Sequence, residues 1–174
     1  MHRSRREGSA LEGTTRMITN TTLCYVDDGN SLLMLHRTKK QDDINEGKWI
    51  GIGGHMREGE SPEDCILREA REETGCGLIH PALHGIVTFV YRNVTEYMFL
   101  FTATGLEGDP TECDEGDLAW IPKEQVPLLD LWEGDRIFLA LLAEDAPFFS
   151  LKLVYADDDS LQKAVLDGQP LILP

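Results

Sequence analysis

Three glutamates in the middle of the chain have the type and spacing needed to bind a metal ion. Glu69, Glu72 and Glu73 stand at positions i, i+3 and i+4, so a helix would place all three on one face. Carboxylate oxygens are the hard ligands that Mg²⁺ and Mn²⁺ prefer. Charge clusters are also common on solvated helix faces, and the spacing alone leaves both interpretations open.

The residues around these glutamates extend the pattern. Gly54 is followed after five residues by Glu60, and after seven more by residues 68–76, which read REAREETGC. This arrangement resembles the Nudix box, a motif of 23 residues, at every charged and glycine position. Ala70 and Cys76 stand where the family usually carries larger aliphatic residues, and both departures concern packing rather than chemistry.

The resemblance to the Nudix family implies an α/β fold, namely an α/β/α sandwich with a mixed central sheet. It also implies hydrolysis of a nucleoside diphosphate linked to another moiety, with Mg²⁺ as cofactor and Mn²⁺ as an alternative. By position in the box, Glu69, Glu72 and Glu73 are implied as metal ligands, together with the Gly53 carbonyl. Glu69 is the first choice for the catalytic base that activates water, and Glu72 is the second. Arg68 is expected to hold the loop and helix of the box together with Glu60.

A weaker similarity outside the box concerns the substrate. Residues 47–55, 112–120 and 130–135 resemble stretches of the MutT-like enzymes that hydrolyse oxidised purine nucleoside triphosphates. By that match Glu115 is a further metal or catalytic carboxylate, and Arg37 reaches the phosphates. The same match implies that Trp132 stacks on the base and that Asp135 faces the polar edge of the base.

Each of these substrate residues also has a structural interpretation. Glu115 lies in an acidic loop and is equally typical of a solvated carboxylate, whereas Trp132 is of a type that is usually buried in packing. In the animal members of the MutT-like group, an asparagine that reads the base stands where this chain has Ile50. Gly134 replaces one of a pair of acids found in those enzymes. The preferred base therefore stays open.

The leading hypothesis is a metal-dependent nucleoside triphosphate diphosphatase that releases pyrophosphate and a nucleoside monophosphate, with oxidised purine nucleotides such as 8-oxo-dGTP as candidate substrates. One alternative is a Nudix hydrolase of a nucleotide sugar or a dinucleotide. Another is a nucleotide-binding regulatory module. Such modules commonly lose carboxylates of the box, so the complete set present here favours an enzyme.

Secondary-structure elements must bring these residues together. Ser61 and Pro62 at the start and Gly75 at the end predict a helix over residues 62–74, with Ile66, Leu67, Ala70 and Thr74 as its buried stripe. Patterns of β-branched and aromatic residues predict strands over 17–26, 31–36, 85–92, 96–104, 118–121 and 149–155. A second helix is predicted over 134–143 and a weaker third one over 160–166.

Composition limits the class of partner. The chain has 174 residues, with 31 Asp and Glu against 16 Lys and Arg, which gives a formal net charge of −15. Such a surface repels a polyphosphate backbone, so a small nucleotide is expected as the ligand and polymeric nucleic acid is not. No run of 18 apolar residues occurs, and no membrane contact is predicted.

Length and cysteine usage predict the organisation of the chain. We expect a polar, flexible leader at residues 1–16 and a single domain at residues 17–174. The four cysteines form neither a C-x-x-C pair nor a zinc-binding spacing. They are therefore expected to be reduced and partly buried thiols in a cytoplasmic protein. The sequence does not indicate an oligomeric state.

Overall fold

The computed structural model describes residues 15–174, so the predicted leader lies almost entirely outside the described residues. The helices are α1 (Pro62–Thr74) and α2 (Glu133–Ala143), and a 3₁₀ turn covers Val126–Leu128. The strands are β1 (Met17–Asp27), β2 (Ser31–His36), β3 (Trp49–Ile50), β4 (Ile52–His55), β5 (Leu78–Ile79), β6 (Ala82–Tyr91), β7 (Val94–Ala103), β8 (Gly105–Leu106), β9 (Asp117–Pro122), β10 (Phe149–Tyr155), β11 (Leu161–Leu166) and β12 (Gln169–Pro170).

A mixed sheet forms the centre of the molecule. Its strand order is β12-β11-β10-β6-β7-β1-β2-β3, with β4 paired to β1 and β9 paired to β2. The pairs β1–β7 and β6–β10 are parallel, and the other pairs of this sheet are antiparallel. A separate two-stranded sheet joins β5 to β8.

The helices cover opposite faces of this sheet. Neighbouring side chains of β1, which point to opposite faces, pack against different helices. Cys24 on β1 belongs to the apolar cluster that contains Ile66 of α1. Tyr25, the next residue, belongs to the cluster that contains Phe138 of α2. The expected α/β/α sandwich with a mixed central sheet is therefore confirmed.

Helix α1 has the predicted bounds because the signals at both ends are local. The Ser61 hydroxyl accepts a hydrogen bond from the Asp64 N–H at 3.1 Å, and the Asp64 carboxylate accepts one from the Ser61 N–H at 3.0 Å. Gly75 ends the helix with a φ of 76°, a conformation that favours glycine. The predicted buried stripe is wrong at Leu67, which is 42% exposed, because the buried face runs through Ile66, Ala70 and Glu73 instead.

The helix predicted over residues 160–166 is wrong, since this segment forms strand β11. It pairs antiparallel with β10, and the register sets Leu153 opposite the fully buried Ala164. The free edge of β10 supplies hydrogen bonds and an apolar surface that the short segment cannot signal by itself. Cys24, Cys65, Cys76 and Cys113 are free, and all four are buried rather than partly buried. Within residues 15–174 no helix has the length and apolar character needed to cross a membrane.

Candidate active site

One cavity of about 550 Å³ collects most of the residues singled out from the sequence. Thr19, Thr21 and Leu23 line it from β1, where they share one face of the strand. The candidate site residues that line it are Arg37, Gly53, Glu69, Glu115, Trp132 and Asp135. Glu73 and Glu72 are not among the lining residues, since Glu73 is buried and Glu72 is exposed.

Glu73 is the buried carboxylate of the box, with 4% of its surface exposed. Its Oε2 accepts a hydrogen bond from the Gly53 N–H at 3.2 Å, whereas its Oε1 has no partner among the described residues. Burial and the nearby charges of Glu115 and Glu69 raise the pKa of Glu73 to about 9. An unpartnered carboxylate oxygen beside two further acids is a site that a cation would stabilise, so these residues fit a divalent metal ion.

Glu69 reaches the cavity because Gly54 has no side chain. A Cβ atom at Gly54 would lie 2.6 Å from the Glu69 carboxylate, so any larger residue would displace it. The Nη1 of Arg68 donates a hydrogen bond to the Oε1 of Glu69 at 2.7 Å. The carboxylate is therefore fixed from two sides, by the backbone of β4 and by a guanidinium group.

Glu72 does not join the buried acids. Its side chain is 47% exposed and lies between Arg57, at 3.4 Å, and Arg68, at 3.2 Å. No three potential ligands in residues 15–174 form a ready-made metal cluster, and arginines engage both Glu69 and Glu72. The charges of Glu69 and Glu115 act on the buried Glu73 carboxyl, so these three acids lie near one another.

Arg68 joins the loop of the box to the helix, as expected. Its Nε and Nη2 donate to the two carboxylate oxygens of Glu60 at 2.5 and 3.0 Å. This hydrogen bonding, with a further bond from the Arg57 N–H, lowers the pKa of Glu60 to about 2. The Nη2 also donates to the His55 carbonyl at 3.1 Å, so one side chain connects β4, the loop and α1.

Arg37 and Glu115 form an ion pair at the cavity wall. Arg37 is buried, its Nε donates to Asp43 at 2.6 Å, and its Nη1 donates to Glu115. Glu115 is thus held at the cavity by a buried guanidinium, unlike a freely solvated carboxylate. Arg37 lines the cavity, and two of its nitrogens are already engaged by carboxylates.

Trp132 both packs in the core and lines the cavity. Its ring meets Phe89, Tyr91 and Tyr155 edge-on, with centroid distances of 5.2, 5.5 and 4.9 Å. Its Nε1 donates to the Asn45 Oδ1 at 2.9 Å. These contacts hold the indole in one orientation, with part of it facing the cavity.

Asp135 is a buried acid that lines the cavity. It is 4% exposed, and no hydrogen bond reaches its carboxyl group from the described residues. Burial raises the pKa of Asp135 to about 8, against the opposing charge of Arg136 and with a contribution from Glu96. At neutral pH this carboxyl is therefore mostly protonated.

The sequence interpretation missed Glu96, which lines the same cavity from β7. The available signal was its position in the strand, because Val94, Glu96, Met98 and Leu100 alternate onto one face. An acid within an otherwise apolar face of a strand indicates a polar ligand or a buried partner. The sequence interpretation also missed Thr19 and Thr21, which lie on one face of β1 and line the same cavity.

Comparisons with known proteins agree with this geometry. A family model of the NUDIX domain matches residues 17–142. The chain is 34% identical over 113 residues to the oxidized purine nucleoside triphosphate hydrolase of Mus musculus, covering 63% of this chain and 71% of the mouse protein. It is 30% identical over 158 residues to an uncharacterized Nudix hydrolase, YvcI, of Bacillus subtilis, covering 87% and 96% of the two chains.

A similar structure is known as well. The crystal structure of a MutT protein from Bacillus halodurans superposes with a TM-score of 0.77 at 29% identity. The match covers 87% of this chain and 99% of the other. It therefore extends past the NUDIX match, which ends at residue 142, into the C-terminal strands.

Proposed function

The chain belongs to the NUDIX domain family, and we propose that this Nudix hydrolase of the MutT type is a metal-dependent nucleoside triphosphate diphosphatase. It releases pyrophosphate and a nucleoside monophosphate, and its substrates include oxidised purine nucleotides such as 8-oxo-dGTP. The similarity to the mouse enzyme, which is named for that activity, supports this substrate class. We also propose that it works in the cytoplasm, which its four free, buried cysteines support.

One observation carries the proposal: the same cavity is lined by carboxylates and by an aromatic residue with a buried acid beside it. Glu69 and Glu115 line it, and their charges act on the buried Glu73, whose Oε1 has no partner among the described residues. Trp132 and Asp135 line it as well. A nucleoside triphosphate has the matching division into a polyanion, which requires cations, and a flat aromatic base.

The proposed cofactor is Mg²⁺, with Mn²⁺ as an alternative. Glu69, Glu73 and Glu115 would hold the ion together with the Gly53 carbonyl, and Glu72 would contribute from the surface. When bound, the ion would neutralise phosphate charge and lower the pKa of a bound water molecule.

The residues of the chain have separate roles in this proposal. Glu69 accepts the proton of the attacking water, since Gly54 and Arg68 hold its carboxylate at the cavity, and Glu72 is the second candidate for this base. Arg37 holds Glu115 in place and contributes positive charge beside the phosphates.

The base is expected to lie against the edge of Trp132 that lines the cavity, although this side chain is only 3% exposed, with the polar edge of the base toward Asp135. Because Asp135 is mostly protonated at neutral pH, it donates one hydrogen bond to that edge and accepts another. The volume of the cavity, about 550 Å³, suits a single nucleotide. The net charge of −15 argues against a polymeric nucleic acid.

The test is release of pyrophosphate and phosphate from a panel of nucleotides with Mg²⁺, with Mn²⁺ and with a chelator. The panel contains dGTP, 8-oxo-dGTP, dATP, dCTP, a nucleotide sugar and a dinucleoside polyphosphate. We expect metal-dependent release of pyrophosphate from triphosphates, with loss of turnover in Glu69→Gln. Turnover confined to the nucleotide sugar or the dinucleotide would replace the proposal with the second enzyme class. Binding without any turnover would indicate a regulatory module.

A further inference from the structure

Glu96 lies in the floor of the cavity, in a row of side chains that crosses three strands. It is in register with Thr19 on β1 and with Phe89 on β6, and all three residues line the cavity. Phe89 contacts Trp132, with 5.2 Å between the ring centroids. Glu96 therefore belongs to the side of the cavity that we assign to the base.

Two polar groups at this side of the cavity have no partner. Among the described residues no hydrogen bond reaches the Asp135 carboxyl, and the Thr19 hydroxyl is buried without a partner. Asp135 is 4% exposed. Buried polar groups are nearly always hydrogen-bonded in folded proteins, so two unpaired ones around one cavity indicate a polar ligand that satisfies them.

The charge of one acid of this group affects the protonation of the other. Burial raises the pKa of Glu96, partly offset by His55 and by a hydrogen bond from the Thr21 hydroxyl. The charge of Glu96 in turn contributes to the raised pKa of Asp135. Asp135 therefore keeps its proton at neutral pH and offers a hydroxyl donor, while the carboxyl oxygens of Glu96 are available as acceptors.

The neighbouring position cannot supply another acid. Gly134 precedes Asp135, and a Cβ atom there would lie 2.5 Å from the Tyr155 hydroxyl and would also overlap Leu153. The C-terminal strand β10 thus fills the space that a side chain at position 134 would need. Glu96, which lies on β7, provides the second carboxyl group.

We propose that Glu96 is a specificity-determining residue, which together with Asp135 selects bases whose edge carries two adjacent N–H donors beside a carbonyl oxygen. This is the edge of guanine and of its oxidised form, with the ring N–H, the exocyclic 2-amino group and the 6-oxo group. In this assignment the Glu96 carboxylate accepts from the two N–H groups of the base, and the Asp135 carboxyl donates to the carbonyl oxygen. The inference rests on the proposed function in that the ligand is a nucleotide.

The experiment compares dGTP with dITP, which differ only in the 2-amino group. A hydrogen bond to a charged group is worth about 1.5–3 kcal/mol, so wild-type protein should prefer dGTP by roughly 10- to 150-fold in kcat/KM, mainly through KM. In Glu96→Gln this preference should fall several-fold or more. Tyr97→Phe is the matched control, since Tyr97 is the next residue of β7 and faces the other side of the sheet.

Binding measurements separate this inference from the proposed function. Calorimetric titration with the monophosphates dGMP and dIMP needs no turnover, and the same preference should appear there and fall in Glu96→Gln. If nothing is hydrolysed but this binding preference is found, the diphosphatase proposal fails and the role of Glu96 stands. Equal handling of dGTP and dITP by wild-type protein would overturn the role of Glu96 without any variant. A Glu96→Gln protein with an unchanged melting temperature and an unchanged preference for dGTP over dITP would also overturn the role of Glu96.

Discussion

Replacing Asp135 by asparagine is expected to stabilise the protein increasingly as the pH rises from about 4 to 8. The buried Asp135 carboxyl has no hydrogen bond from the described residues, and burial raises its pKa from 3.8 to about 8. In the unfolded chain the same group ionises near its ordinary value. Over this range the unfolded state binds fewer protons than the folded state, so the stability of the wild-type protein falls as the pH rises. Asparagine has nearly the same shape and no titration, so the variant lacks this loss.

The size of the effect follows from the two pKa values. At pH 7 the carboxyl is mostly protonated when folded and almost fully ionised when unfolded. Across the interval from the ordinary pKa to pH 7 this difference amounts to about 4 kcal/mol of lost stability. The advantage of Asp135→Asn over wild type should therefore grow by about that amount between pH 4 and pH 7, and it should level off above pH 8.

Urea unfolding followed by tryptophan fluorescence at several pH values between 4 and 9 measures this difference. Asp114→Asn is the matched control, because Asp114 is an exposed acid that does not line the cavity. A constant difference between wild type and Asp135→Asn across the range would mean that Asp135 is ionised in the folded protein. The donated hydrogen bond proposed for the base edge would then be refuted.

Three further expectations concern the catalytic base, the metal ion and the C-terminal strand β10. Glu69→Gln should lower turnover by roughly 10²- to 10⁴-fold while the melting temperature is retained, and near-normal pyrophosphate release at saturating Mg²⁺ would exclude Glu69 as the base. Mg²⁺ should raise the melting temperature by several degrees at concentrations far above its Kd, because it relieves the repulsion among Glu69, Glu73 and Glu115, whereas an unmoved curve at millimolar Mg²⁺ would argue against a metal site. Tyr155→Phe leaves the buried Gly134 N–H without its 2.9 Å partner. It should cost about 1–3 kcal/mol of stability in urea unfolding and raise KM for nucleotides with little change in kcat, and an unchanged KM would show that the hydroxyl does not position the base side of the cavity.

The parts of the fold that the sequence predicted are those with local signals. Helix α1 begins and ends where Ser61, Pro62 and Gly75 indicate, because caps act on the backbone next to them. Strand β11 was predicted as a helix because its conformation depends on pairing with β10, and that pairing is not visible in six residues of sequence. Short segments at the edge of a sheet take their structure from the neighbouring strand.

The candidate site divides in the same way. The box spacing singled out Glu69, Glu72 and Glu73 as candidates, but it did not distinguish the buried Glu73 from the exposed Glu72, because that difference depends on how α1 is rotated against β4. Glu96 could not be placed at the cavity without the register that sets β7 beside β1. The chemistry of the box is thus readable from spacing, whereas the surroundings of the base are assembled from residues far apart in the chain.

The hydrogen bond between Gly134 and Tyr155 also has a consequence for the order of events during synthesis. Tyr155 belongs to β10, which follows the end of the NUDIX match at residue 142 and is inserted between β6 and β11. A nascent chain that has emerged only as far as residue 142 already contains every carboxylate of the box. It still lacks the strand that fixes the start of α2 and the edge of Trp132. Because parallel pairing of β10 with β6 joins distant segments, we expect the nucleotide-binding surface to mature last, only after the C-terminal strands have left the ribosome.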